Sequence, residues 1–178
     1  ARGASVDAAH NVVLHDNYAP AVDVLRQQRF GTPNAQPFAA SATTAARVAE
    51  LLAAHPDRSC RLLSGEQLEL GAPLGSGVSA FVFRARLLQN GRVRGRVAVK
   101  LFSLPSADTG DEKSRAAAQA LVEADCLTEL STLLDLRSPF ILACRGVTLE
   151  PYLTLVLPEH LRRSIYHVLH VPQYTLQC

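Results

Sequence analysis

The chain has 178 residues, 48% of them hydrophobic, and a formal net charge of +2 at pH 7. That apolar content is ample for a core and excludes wholesale disorder. A near-neutral balance with no basic block argues against a dedicated nucleic-acid surface. No apolar run approaches the roughly 18–20 residues that span a bilayer, so no membrane segment is expected.

Residues 1–64 are rich in Ala, Asn, Gln, Pro and Thr and present no chemistry. They read as a linker or the tail of an upstream region, partly helical. Gly31 to Asn34 is a turn or loop. Thr43 to Ala54 is predicted helical, with apolar Val48, Leu51 and Leu52 and with Pro56 just past its end. The texture changes at about residue 65, where a second unit, 65–178, is expected to begin. Gln67 to Leu70 alternates polar and apolar residues, as a half-buried strand does. A glycine turn, Gly75-Ser76-Gly77-Val78-Ser79-Ala80, leads into a second strand, Phe81 to Leu87. Gln89-Asn90-Gly91 supplies a hairpin turn, and Arg92 to Phe102 makes the third strand of an antiparallel meander.

Pro105 to Asp111 is a polar loop, and Glu112 to Leu136 is predicted to be a long helix with apolar Leu121, Ala124, Leu127, Leu130 and Leu134 at helical spacing. Ser138-Pro139 ends it. Two more strands, Phe140 to Val147 and Tyr152 to Leu157, and a short helix, Leu161 to Leu169, complete the reading. The fold class expected is α+β: a five-stranded antiparallel sheet with one long helix.

The absence of any Met predicts a fragment or a processed product, and the N-terminus shows no secretory pattern. Cys60, Cys126, Cys144 and Cys178 form no CxxC pair and fit neither a zinc site nor a disulfide framework, so reduced thiols in a cytoplasmic protein are expected. His167 and His170 are three apart but lack a third ligand, and no metal site is expected there.

Chemistry concentrates around Lys100. It is one of only two lysines among eighteen basic residues, and it closes the apolar run Val97-Ala98-Val99-Lys100. With the glycine turn upstream it suggests a nucleotide site, in which backbone amides cover phosphates and one compact ammonium reaches them. A Rossmann turn is disfavoured because the glycines lead into a strand and not a helix, and a Walker loop because no Gly-Lys-Ser/Thr follows.

Four motifs in order and spacing resemble the N-terminal lobe and hinge of a eukaryotic protein kinase, over residues 68–169. Leu74-Gly75-Ser76-Gly77, running on to Val82, resembles the glycine-rich loop, with Ala80 where the pattern has its third glycine. Val97-Ala98-Val99-Lys100 resembles the strand whose lysine holds the α- and β-phosphates. Glu129, followed by Leu133, Leu136 and Ser138-Pro139, resembles the helix signature whose glutamate pairs with that lysine; Ser138 replaces the common His. Glu123 and Asp125 compete for that role but lack the leucine–proline spacing. Leu157-Pro158-Glu159-His160 resembles the gatekeeper and hinge. Pro158 keeps a carbonyl for adenine, and His160 would give the N–H.

The resemblance implies ATP and Mg2+ as cofactors, a protein substrate and phosphoryl transfer, most like the tyrosine-kinase-like group acting on Ser or Thr. It implies Lys100 and Glu129 as catalytic residues. Leu74, Gly75, Ser76, Gly77, Val82, Ala98, Lys100, Leu157, Pro158 and His160 would contact the nucleotide. The catalytic loop and the metal-binding Asp-Phe-Gly run have no counterpart in these 178 residues, so no metal ligand is assigned. A kinase-derived binding module without catalysis is the alternative.

Overall fold

A computed structural model describes residues 36–77, 79–104, 112–138 and 141–159. In chain order these form β1 (Gln36–Pro37), α1 (Ala42–Ala54), β2 (Arg61–Leu62), a 3-10 turn (Gly65–Gln67), β3 (Leu68–Ser76), β4 (Ala80–Gln89), β5 (Arg92–Leu104), α2 (Glu112–Asp135), β6 (Gly146–Thr148) and β7 (Thr154–Pro158). The class is α+β, with a mixed sheet of seven strands in the order β2-β6-β7-β5-β4-β3 and β1 against the end of β5.

The expected meander is present: β3, β4 and β5 pair antiparallel, and β5 continues antiparallel to β7. Asn90 and Gly91 both have positive φ, 52° and 70°, as a two-residue turn matching the right-handed strand twist requires. Sequence and structure differ at the sheet's edge. Instead of a strand over 140–147, only Gly146–Thr148 pairs, and Ile141 and Leu142 remain partly exposed. The sheet is neither five-stranded nor wholly antiparallel, because β2 joins β6 in parallel, Arg61 beside Gly146 and Leu62 beside Val147. Two-residue strands carry too short an alternation to be read from sequence.

The sheet buries apolar residues on both faces. Leu68, Leu70, Phe81, Phe83, Ala85, Val97, Val99, Leu101 and Val156 fill one side with Leu63 and Tyr152. On the other, Phe102, Leu104, Val147, Leu153 and Leu155 meet Val122, Cys126, Leu130 and Leu134 of α2. Phe38, Val48 and Cys60 belong to this second core, so residues 36–64, read from sequence as linker, pack into the same layer as the long helix. Ser41 caps α1 by accepting from the Thr44 N–H. The loop at 105–111, the helix expected over 161–169 and the His167/His170 pair lie outside the described residues.

The β2–β6 contact leaves no room for a side chain at one position. A Cβ at Gly146 would stand 2.4 Å from Leu63 Cδ1 and 2.9 Å from the Arg61 carbonyl oxygen. Gly146→Ala is therefore expected to destabilise by about 1–3 kcal/mol, the cost of forced overpacking. Urea unfolding should show a lower midpoint with an unchanged slope. Leu63→Ala in the same chain should recover only part of the loss, since the Arg61 carbonyl is backbone.

Candidate functional site

Period-two alternation sorts β5 into two sets. Val97, Val99 and Leu101 are buried in the first core, while Ala98 and Lys100 on the opposite face are only half-buried. Lys100 lies between Val82 of β4 and Leu155 of β7, and Ala98 lies between Arg84 and Leu157. Val82, Ala98, Lys100 and Leu157, predicted separately from sequence, therefore share one face across three adjacent strands.

α2 crosses this face and brings Glu129 to Lys100, whose ammonium donates to Glu129 Oε2. The lysine and glutamate side chains are 26% and 33% exposed. The ammonium also sits 5.2 Å from the centroid of the Phe102 ring, two residues along the same strand face. Cys126, one helical turn before Glu129, is fully buried. Its thiol is pushed up to about 12, first by burial and then by the Glu129 charge, and stays protonated at neutral pH.

Gly75 pairs with Val82, immediately beside Lys100 in the sheet. The turn beyond is closed by the Gly77 N–H donating to the Ala80 carbonyl at 2.8 Å, and the Ser103 N–H bonds the Ser79 carbonyl at 3.0 Å. A Cβ at Gly75 would meet nothing within 4 Å, and one at Gly77 only the Ala80 oxygen at 3.8 Å. Neither glycine has a left-handed φ, so neither backbone strain nor crowding from within the described chain calls for them. Leu74 and Ser76 are exposed. Ala80 is 3% exposed and opposes Phe102 in the α2-side core. Its methyl is absorbed there and does not crowd the glycines.

At the far end of the face, Leu157 and Pro158 finish β7 half-buried. Glu159 follows, its side chain 4% exposed, accepting from Arg84 Nε at 2.6 Å. Its second oxygen has no hydrogen-bond partner among the described residues. His160 lies outside the described residues, so its predicted place in the hinge is not part of this geometry.

The position of α2 is fixed by contacts that the sequence did not reveal. Glu123, weighed against Glu129 as a partner for Lys100, instead turns to the start of α1. Its carboxylate accepts from the Ser41 N–H (2.8 Å), Ser41 Oγ (2.6 Å), Thr44 Oγ1 (2.6 Å) and Gln119 Nε2 (2.9 Å). Burial raises its pKa, but the hydrogen bonds from Gln119, Ser41 and Thr44 outweigh that and hold it below the usual carboxylate range. At the other end of α1, His55 bonds the Leu51 carbonyl through Nδ1 (2.8 Å) and Asp135 Oδ1 through Nε2 (3.0 Å). Both partners accept, so the imidazolium satisfies both. The Leu51 carbonyl, then Asp135, raise its pKa, with Asp57 adding to them. Arg58 donates to the Leu134 and Leu136 carbonyls, each at 2.7 Å, closing the orphan acceptors at the end of α2. Arg137 pairs with Asp57. A Ser three residues before a Thr at the head of an apolar-periodic run was the one signal that α1 begins with a polar cap. Nothing in the sequence indicated what that cap binds.

No protein-family profile matches the chain. A stretch of 106 residues, 60% of the chain, is 38% identical to the ankyrin repeat-containing protein kinase A of Dictyostelium discoideum, and spans 6% of that protein. Among the described residues no helix is long and apolar enough to cross a membrane.

Glu123 is depressed in the fold, so its contribution is complete above its ordinary 4.5 and is lost as pH falls through the lower folded value. His55 is raised, so its contribution is complete below its ordinary 6.5 and is lost as pH rises through the higher folded value. Urea midpoints measured across pH should decline on both sides of that window. His55→Gln should flatten the alkaline limb and also soften the acid limb, because His55 holds the Asp135 carboxyl below its usual range. Glu123→Gln should flatten the acid limb and lower stability by about 1–3 kcal/mol, because buried donors lose a charged acceptor.

Proposed function

We propose that this chain is the nucleotide-binding lobe of a protein kinase, acting within a longer protein that transfers the γ-phosphoryl group of ATP to protein Ser or Thr. The observation that carries the reading is the Lys100–Glu129 pair on a half-buried face that it shares with Val82 directly beside it and with Ala98 and Leu157 further along. The placement of Gly75 beside that face, with open space where a side chain would stand, supports it. The Dictyostelium protein that part of the chain resembles is named as a kinase, but the likeness spans 6% of that protein and the reading does not rest on it.

In this reading adenine lies against Val82 and Ala98, with Leu157 at the gatekeeper position and the Pro158 carbonyl accepting from the base. Lys100 holds the α- and β-phosphates as a compact point charge. Glu129 fixes the lysine's direction, and Leu74 to Gly77 cover the phosphates with backbone amides. ATP supplies the transferred group. Magnesium, which this chemistry requires, has no ligand assigned among these residues. Cytoplasmic location and a protein substrate belong to the same proposal.

The alternative is a kinase-derived binding module. Pro158 and Ser138 relax the pattern, whereas the inward methyl of Ala80 costs the glycine segment nothing.

The partly exposed ion pair contributes about 1 kcal/mol or less to stability, so Lys100 can be tested without unfolding the protein. Lys100→Met in the full-length protein should abolish phosphotransfer while leaving the thermal midpoint within a few degrees of wild type. Activity at the wild-type level in that variant would refute the role given to Lys100. Absence of phosphotransfer from an intact wild-type protein that still binds ATP would favour the binding module. Calorimetry on the 178-residue chain should show weak ATP binding at best.

A further inference from the structure

Two cysteines 84 residues apart in sequence meet in the core: Cys60 Sγ lies 3.3 Å from Cys144 Sγ. Cys60 directly precedes β2 and Cys144 lies two residues before β6, so the sulfurs meet where these parallel strands begin side by side. The residues are 8% and 3% exposed. Cys144 Sγ also lies 3.4 Å from the Gly146 carbonyl and 3.7 Å from that of Val156. Cys126 belongs to the same core layer but makes no sulfur contact of this kind among the described hydrogen bonds.

We propose that Cys60 and Cys144 form a reversible dithiol–disulfide site that fastens residues 36–64 to the sheet. The oxidant is a low-molecular-weight disulfide. The Cys60 thiolate attacks one sulfur of that disulfide, giving a mixed disulfide on Cys60 and releasing one thiolate, which takes up the proton Cys60 has lost. The Cys144 thiolate then attacks Cys60 Sγ, forming the internal bond and expelling the second thiolate, which takes the Cys144 proton. Two protein thiols are oxidised and one small disulfide is reduced to two thiols. The order of attack follows the shared hydrogen bond, which lowers the Cys60 thiol and raises that of Cys144.

Burial sets the kinetics. A bulky disulfide reaches Cys60 only when β2 lifts from β6, and β2 is a two-residue strand at the sheet's edge, the kind of element that opens locally at low cost. Oxidation is therefore slower than that of an exposed thiol and accelerates in mild denaturant. The crosslink spans a long loop, which constrains the unfolded chain more than a short one does. The inference does not depend on the nucleotide reading.

The test treats the full chain, carrying Cys178→Ser, with oxidised glutathione, blocks the remaining thiols under denaturing conditions and digests with trypsin. Expected are a loss of two hydrogen masses in the intact protein, a linked pair of peptides 59–61 and 138–145, and a higher urea midpoint that returns to the reduced value with dithiothreitol. Cys60→Ser and Cys144→Ser should each abolish all three changes, while Cys126→Ser retains them. Should either core variant fail to fold, the linked peptides in the Cys178→Ser chain still decide the question. Cys60 and Cys144 both fully alkylated after prolonged oxidation, or a link to Cys126 in place of their own, would overturn the proposal. So would a lower urea midpoint in the linked protein.

Discussion

The rest of this structure depends on a buried carboxylate. Glu123 accepts four hydrogen bonds, three from the first turn of α1 and one from its own helix. An unpaired carboxylate in that position would cost several kcal/mol, so the helix is held only where α1 supplies those donors. The two helices also match in length. The 13 residues of α1 rise about 20 Å at 1.5 Å per residue, and the step from Glu123 to Asp135 covers about 18 Å by the same rise. The capping contacts of His55 and Arg58 therefore fall at the far end of α2, where its last carbonyls need donors. α1 is a strut of the same length as the part of α2 that it braces.

This arrangement explains an oddity of α2. Glu123 and Glu129 are six residues apart, so at about 100° per residue they point roughly 120° from each other around the helix. One faces α1 and the other faces β5. Between them Cys126 and Leu130 are fully buried and Val122 nearly so. A helix with partners on two sides needs polar anchors within its apolar surface, and its sequence is correspondingly less cleanly amphipathic than that of a helix lying on one sheet.

The local grammar of the chain was readable: the glycine turn, the Asn90-Gly91 hairpin, the alternation at the start of β3 and the long helix all rest on interactions within a few residues. Val82, Ala98, Lys100 and Leu157 were picked out one motif at a time, by resemblance; that they share one face follows from the register of β4, β5 and β7, which no single stretch of sequence carries. The integration of residues 36–64 was not readable. Its evidence consists of bonds spanning about 80 positions, such as Thr44 to Glu123 and Arg58 to Leu134, and no periodicity reports a partner that distant. The strand expected over 140–147 misled for a related reason. An apolar run reports burial preference, but only Gly146–Thr148 finds a ladder partner, and part of the run stays at the surface.

What the fold requires and what it tolerates can be told apart residue by residue. Gly146 is required, because a methyl there would strike backbone and side chain together. Glu123 is required, because donors from two helices converge on it. Gly75 and Gly77 meet neither criterion, having open space around them and ordinary φ. Lys100 and Glu129 are held in a partly exposed pair that contributes about 1 kcal/mol or less to stability. Four positions that packing does not explain lie together, at one end of a single half-buried sheet face. A ligand approaching that face would give all four a reason. Its phosphates would need the glycines' lack of side chains and a positive charge held in place from behind. That concentration of structurally unnecessary residues, more than any one motif, is why the nucleotide reading is preferred to an ordinary glycine hairpin beside an ordinary surface lysine.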